Sequence, residues 1–137
     1  MLAQTSLLRI GRLSAAYDLG VTLPFATPWT YALLIELFNH LQTIAWPDAS
    51  PIAIEPHQML FANLMGSVVV VWSIVRLRLM MVELVRWDAV ARFLFTAWQI
   101  HALTSGATPL LVPFIVIELL FGIAQSLPLK RRVADRI

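Results

Sequence analysis

Long apolar stretches separated by prolines, turn residues and arginines set the pattern of this chain. The plainest runs from Pro109 to Leu127 (PLLVPFIVIELLFGIAQSL), between Gly106-Ala-Thr and Pro128-Leu-Lys-Arg-Arg. A second covers about 57–76, after the turn-rich segment from Pro47 to Pro56. A third covers about 87–104 and carries Asp88 and Arg92, an i,i+4 pair, near its start. Stretches of this length predict helices that cross a hydrocarbon layer, where a backbone must satisfy its own hydrogen bonds. Pro113 predicts a kink in the last of them.

The first apolar region, from Leu13 to Trp46, is too long for one crossing, and Pro24 and Pro28 interrupt it. It is read as a crossing over about 6–25 followed by an interfacial helix over about 28–45. In that second segment Glu36, Asn39, His40 and Thr43 fall at i, i+3, i+4 and i+7, while Leu33, Leu34, Leu37, Phe38, Leu41 and Ile44 form the opposite face. Trp29, Tyr31 and Trp46 suit the same depth. The alternative makes the N-terminus interfacial and lets Trp29–Trp46 cross. The expected architecture is an all-α integral membrane domain spanning 1–137: a four-transmembrane-helix bundle with one outer amphipathic helix after the first crossing.

Charge gives this layout an orientation. Arg9 and Arg12, then Arg76, Arg78, Arg86 and Arg92, then Lys130, Arg131, Arg132 and Arg136 are all the basic residues of the chain. All can be placed on one side of a membrane, which predicts cytoplasmic N- and C-termini and one cytoplasmic central loop. Asp88 and Arg92 are then expected at the inner interface, with Arg92 snorkelling. Composition agrees: 59% of the residues are hydrophobic and 13% charged, against about 25% charged in soluble domains. Mean hydropathy is +0.77. The sequence pI near 9.7 suits anionic headgroups better than nucleic acid, because the basic groups sit at span ends. Late arginines and Asp18 argue against a cleavable signal peptide. The absence of cysteine excludes disulfides, iron–sulfur clusters and Cys-ligated zinc. An Arg-rich, Lys-poor, cysteine-free chain suggests the bacterial inner membrane.

Candidate chemistry lies inside the spans. An ionisable residue at mid-bilayer costs about 2.5–3.5 kcal/mol on insertion scales and usually faces the bundle interior. Asp18 and Glu118 qualify. Each belongs to a stripe at helical spacing: Gly11, Ser14, Asp18, Thr22; Asn63, Gly66, Ser67; Asp88, Arg92, Thr96, Gln99; Glu118, Gly122, Gln125. Four stripes on a common axis predict a polar seam bordered by Tyr17, Trp72 and Trp98. Such a seam serves either as packing glue between helices or as a ligand pocket. For the pocket the expected residues are Asp18, Asn63, Gln99, Glu118, Tyr17 and Trp98. His57 and His101, at the outer ends of their spans, are candidates for a metal or bis-His haem. They lack any local ligand signature, so neither a metal nor another cofactor is expected.

Three strings carry a resemblance: Tyr17-Asp18-Leu19-Gly-Val-Thr-Leu23-Pro24, Phe61-Ala62-Asn63-Leu64 and Pro109-Leu-Leu-Val-Pro113-Phe114. With the order of elements, they resemble the small four-helix membrane proteins of the DoxX and EXPERA groups, the latter including sigma-2-receptor and sterol-isomerase types. The resemblance implies a lipid-like or amine ligand contacting Asp18. Asn63 stands where the second acidic residue of the EXPERA pattern is expected, and a neutral amide does not shuttle protons as a carboxylate does. Isomerase-type chemistry is therefore not carried over. Three functions follow as expectations: a non-enzymatic binder of a lipid or other hydrophobic ligand; an accessory subunit of a larger membrane complex, such as a respiratory one; or a membrane enzyme acting on a lipid-like substrate. The expected partners are membrane lipids, with a membrane-protein partner or a second copy of the chain as further candidates, and no nucleic acid.

Overall fold

The computed structural model describes residues 1–130. Among them the structure is entirely helical: α1 Gln4–Thr22, α2 Pro28–Ala45, α3 Pro56–Leu79, α4 Val82–Thr104 and α5 Val112–Ser126, with short 3-10 turns at Leu23–Ala26 and Pro109–Leu111. The prolines set these boundaries. Pro28 and Pro56 open α2 and α3, and Pro113 lies in the first turn of α5. The first turn needs no backbone N–H from proline. The kink expected at Pro113 is therefore replaced by a fresh helix start after the 3-10 turn.

Two helical segments are long and apolar enough to cross a membrane, Pro56–Leu79 and Pro109–Ser126. The segment Gln4–Ala26 passes that test only together with α2, and the two are bent by 104°. The bend falls at the break marked by Pro24 and Pro28 in the sequence. The polar face of α2 nevertheless has a different role from the one expected. Asn39 exchanges hydrogen bonds with the backbone of Ile52 at 2.7 and 3.1 Å, and Gln42 Nε2 donates to Ser50 O at 2.7 Å. That face thus anchors the following loop, leaving Glu36 and His40 exposed.

α1, α3, α4 and α5 form the bundle, with α4 against α5 and α1 against α3 as the main pairings. Leu2 N donates to Pro128 O and Lys130 N donates to Leu2 O, both at 2.8 Å. This pairing puts residues 2 and 130 at the same end of the bundle. Arg86 strengthens that end: its guanidinium donates to Gln125 O at 2.5 Å and to Leu127 O at 2.7 Å, satisfying carbonyls at the end of α5. The α3–α4 connection is only Met80 and Met81, with Met80 left-handed at φ 46°.

The chain is polar inside and apolar outside. Among the described residues ten polar or charged ones are buried against five hydrophobic ones, while Leu60, Phe61, Val68, Leu94 and Leu120 are among many exposed apolar side chains. Water would favour the reverse distribution. Three expectations are corrected here. The third long helix begins at Val82, not near 87. Asp88 and Arg92 lie in the bundle core, 2% and 1% exposed, so Arg92 turns inward instead of snorkelling. Arg76 is also buried and does not belong to a loop. Of the C-terminal basic run, Arg131, Arg132 and Arg136 lie outside the described residues.

Candidate functional site: a buried ionic cluster beneath an apolar cavity

Each bundle helix turns one polar stripe inward. Ser14 and Asp18 come from α1, Ser73 and Arg76 from α3, Asp88, Arg92 and Thr96 from α4, and Glu118 and Gln125 from α5. Small residues allow the close approach. A Cβ on Gly11 would meet Val85 at 2.4 Å, and one on Gly122 would meet the Phe93 ring at 3.3 Å. The stripes converge because a guanidinium in an apolar surrounding must find acceptors, which Arg92 does at all three nitrogens and Arg76 at both Nη atoms but not at Nε.

Arg92 is the hub. Its Nε donates to Asp88 Oδ2 at 3.1 Å, its Nη1 to Glu118 Oε2 at 2.7 Å and its Nη2 to Asp18 Oδ2 at 2.7 Å. Its guanidinium also lies 4.9 Å from the centre of the Phe121 ring, a cation–π placement. Arg76 pairs with Asp18 Oδ2 and reaches Asp88 Oδ2 at 2.5 Å. Asp88 is the most heavily supported acid. Besides the two arginines it accepts from Gln125 Nε2 at 2.8 Å, Ser14 Oγ at 3.3 Å and Trp72 Nε1 at 3.3 Å. Glu118 has one partner, Arg92, and among the described residues its Oε1 takes no hydrogen bond. Asp18 Oδ1 is likewise unpartnered. Three carboxyl groups thus share two guanidiniums.

Asp18 and Glu118 also line a cavity of about 530 Å³. Its walls are mainly apolar, including Val69, Phe95 and Phe114, and Leu34 and Phe38 close it from α2. Its polar exceptions are Asp18, Thr22, Gln99 and Glu118. Thr22 Oγ1 is committed to Asp18 O at 2.6 Å, whereas Gln99 Oε1 is buried with no partner. The unmatched groups at the cavity are thus the free oxygens of Asp18 and Glu118 and the side-chain amide of Gln99. The size falls in the range of about 300–1,000 Å³ typical of small-molecule pockets.

The structure brings together only some of the residues expected from sequence. Asp18, Glu118 and Gln99 share the cavity. Tyr17 packs its ring 5.8 Å from that of Phe121, with a buried hydroxyl that has no partner. Asn63 serves the fold: its Nδ2 donates to Phe25 O at 2.8 Å, pinning the turn after α1. Trp98 faces away from the seam at 67% exposed, edge-on to His101. His57 and His101 are both exposed, and among the described residues no group of three or more His, Cys, Asp or Glu side chains could hold a metal. Sequence reasoning missed Arg76 and Ser73 as core groups. Their signal was spacing, since Gly66, Ser73 and Arg76 share a helix face that Ser67 does not. No protein-family model matches this chain, and neither curated proteins nor solved structures give a match.

Proposed function

We propose that this chain is an integral membrane protein that crosses the bilayer four times and binds a lipid or other hydrophobic small molecule in the interhelical cavity. The observation that carries the reading is the junction of an apolar chamber of about 530 Å³ with the incompletely matched oxygens of Asp18 and Glu118. An apolar body fits the walls, and a polar end of the ligand meets those oxygens and Gln99. α1 and α4 complete the four crossings. α4 holds 23 residues, enough for about 1.5 Å of rise each and hence for a hydrocarbon core. Its two most deeply placed charges, on Asp88 and Arg92, are matched inside the bundle. The apolar exterior and the terminal pairing of Leu2 with Leu129 favour the same topology, with residues 2 and 130 on one side. The cytoplasm of a bacterial inner membrane is the side we assign, on the placement of Arg9, Arg12, Arg78 and Arg86 near that end. The order of elements is also the one on which the likeness to the DoxX and EXPERA groups rests.

Native mass spectrometry of the gently purified full chain tests the pocket. The wild type should carry a bound small molecule or single lipid. Ala62→Phe, which projects a ring into the cavity, should lose it while keeping the helical circular-dichroism signal. An empty wild-type protein, or equal retention by a folded Ala62→Phe variant, would refute the reading.

A further inference from the structure

Two guanidiniums and three carboxyl groups cannot close to neutrality by themselves. With Asp18, Asp88 and Glu118 all ionised, Arg76 and Arg92 leave one negative charge unmatched in the core. A net charge enclosed by apolar protein lacks the water that would stabilise it, so the cluster is completed by a positive species. We propose that this species is a proton, and that the cluster contains a specific proton site: the free oxygen of Glu118, at the floor of the cavity.

The hydrogen bonds decide which acid holds it. Asp88 is ion-paired with Arg76 and accepts from Arg92, Gln125, Ser14 and Trp72, all of which favour its ionised form. Asp18 Oδ2 accepts from both guanidiniums. Glu118 accepts from Arg92 alone through Oε2, which leaves Oε1 open to a proton without breaking that bond. Among the described residues the surroundings of Glu118 supply no further cation. α1 brings Tyr17 and Asp18, α3 brings Arg76, and α4 brings Asp88 and Arg92. The 3-10 turn and α2 bring Pro24, Phe25, Leu34 and Phe38 to the cavity, none titratable. One proton from water forms an O–H bond at Glu118, and the cluster passes from one negative charge to zero. The site then offers a donor at Glu118 beside the acceptors of Asp18 and Gln99. As a consequence that rests on the proposed pocket, a cationic head entering the cavity releases the proton, and a neutral ligand leaves it in place.

Infrared spectroscopy of the full chain in lipid nanodiscs, without added ligand, tests the site directly. At neutral pH the wild type should show a carboxylic-acid C=O stretch that shifts in deuterium oxide and disappears on alkaline titration. Glu118→Gln should abolish the band, and Glu118→Asp should restore a shifted one. Asp18→Asn should abolish it as well, because two acids and two guanidiniums then balance without a proton. Exposed Glu83→Gln should leave it unchanged. Helical circular dichroism checks that each variant folds, and Asp18→Asn and Glu118→Gln are independent routes should one fail. A wild-type spectrum without the acid band, a band that survives Glu118→Gln, or one that survives Asp18→Asn would each overturn the proposal. None of these readings depends on ligand occupancy. An empty cavity in native mass spectrometry would sink the pocket and leave the proton site standing.

Discussion

Replacing Arg92 by glutamine is the sharpest test of how the bundle is held together. Arg92 is 1% exposed and joins three acids drawn from three helices. Its loss leaves Asp18, Asp88 and Glu118 with one guanidinium, that of Arg76, and removes the ion pair to Glu118 of α5, leaving Gln125 as the cluster's link to that helix. Breaking a buried pair by removing one partner typically costs about 3–5 kcal/mol. Arg92→Gln should fall in that range, and part of the loss should be recovered by proton uptake onto the stranded acids at lower pH. Glu118→Gln should behave differently. The amide oxygen of glutamine can still accept from Arg92 Nη1, and the change removes the acid for which no guanidinium remains. It should cost roughly 1 kcal/mol or less, the scale of one exchanged hydrogen bond. Reversible unfolding in mixed micelles, followed by helicity and by the fluorescence of Trp72 beside Asp88, measures both. The asymmetry is the point of the experiment. Equal destabilisation by the two substitutions, or an Arg92→Gln effect within about 0.5 kcal/mol of wild type as for a surface change, would refute the charge accounting.

Four further outcomes follow from geometry. Gly66→Ala should destabilise by about 1–3 kcal/mol, because its Cβ would meet the Phe25 backbone at 2.6 Å; Gly20→Ala, with nothing within 4 Å, should be neutral or mildly stabilising in the same unfolding assay. Met80→Gly should stabilise by about 1 kcal/mol, since a left-handed conformation is strained for a residue with a side chain and Met80 has φ 46°. Arg86→Gln should fray the end of α5, seen as faster hydrogen exchange around Ser126 and Leu127 and a loss of about 1–2 kcal/mol from the charge-assisted bonds. The native absence of cysteine makes topology easy to read. In intact cells, single cysteines at Asp48 and Ser105 should react with an impermeant maleimide and one at Met81 should not; the opposite pattern inverts the orientation, and labelling at all three removes the four-span layout.

The fold was largely legible where a local rule governed it. Pro28 and Pro56 mark helix starts because proline fixes its own φ and donates no hydrogen bond. The break between the first helix and α2 was legible for the same reason. The seam was legible in α1, α4 and α5 because its members recur at helical spacing. Arg76 and Arg92 were misplaced because an arginine near a span end carries two meanings. It marks the cytoplasmic side when it meets water and balances acids when it turns inward. One-dimensional spacing does not distinguish these, since the deciding partners, Asp18 and Glu118, lie on other helices. The cavity was illegible for a related reason. It exists because the bend after Thr22 folds Leu34 and Phe38 over the bundle, a relation between elements that no single window contains. Trp98 was misassigned because its place three turns from Asp88 fits the stripe only coarsely, and the true stripe runs through Thr96 and Gln99.

The distribution of hydrogen bonds across the cluster bears on whether it is only glue between helices. Packing glue has no reason to be uneven, since every unmatched polar atom in an apolar surrounding costs stability. Here the acids themselves are unevenly matched, although Arg76 Nε, Thr96 Oγ1 and Gln125 Oε1 are also buried without partners. At Asp88, five side chains converge on one acid and none of its neighbours lines the cavity: Arg76, Arg92, Gln125, Ser14 and Trp72 are all absent from the chamber wall. At the chamber, Asp18 commits one oxygen to both guanidiniums and Glu118 one oxygen to Arg92, and each leaves its other oxygen free, beside an orphaned Gln99 Oε1. The Asp88 end holds the helices in register. The free oxygens of Asp18 and Glu118 face the cavity, which favours the proposed site over a seam alone. Substitutions at Asp88 should therefore alter stability first, and Gln99→Leu should alter ligand retention first, with little change in unfolding. A Gln99→Leu variant that retains ligand as the wild type does, yet unfolds more readily, would assign the whole cluster to the fold.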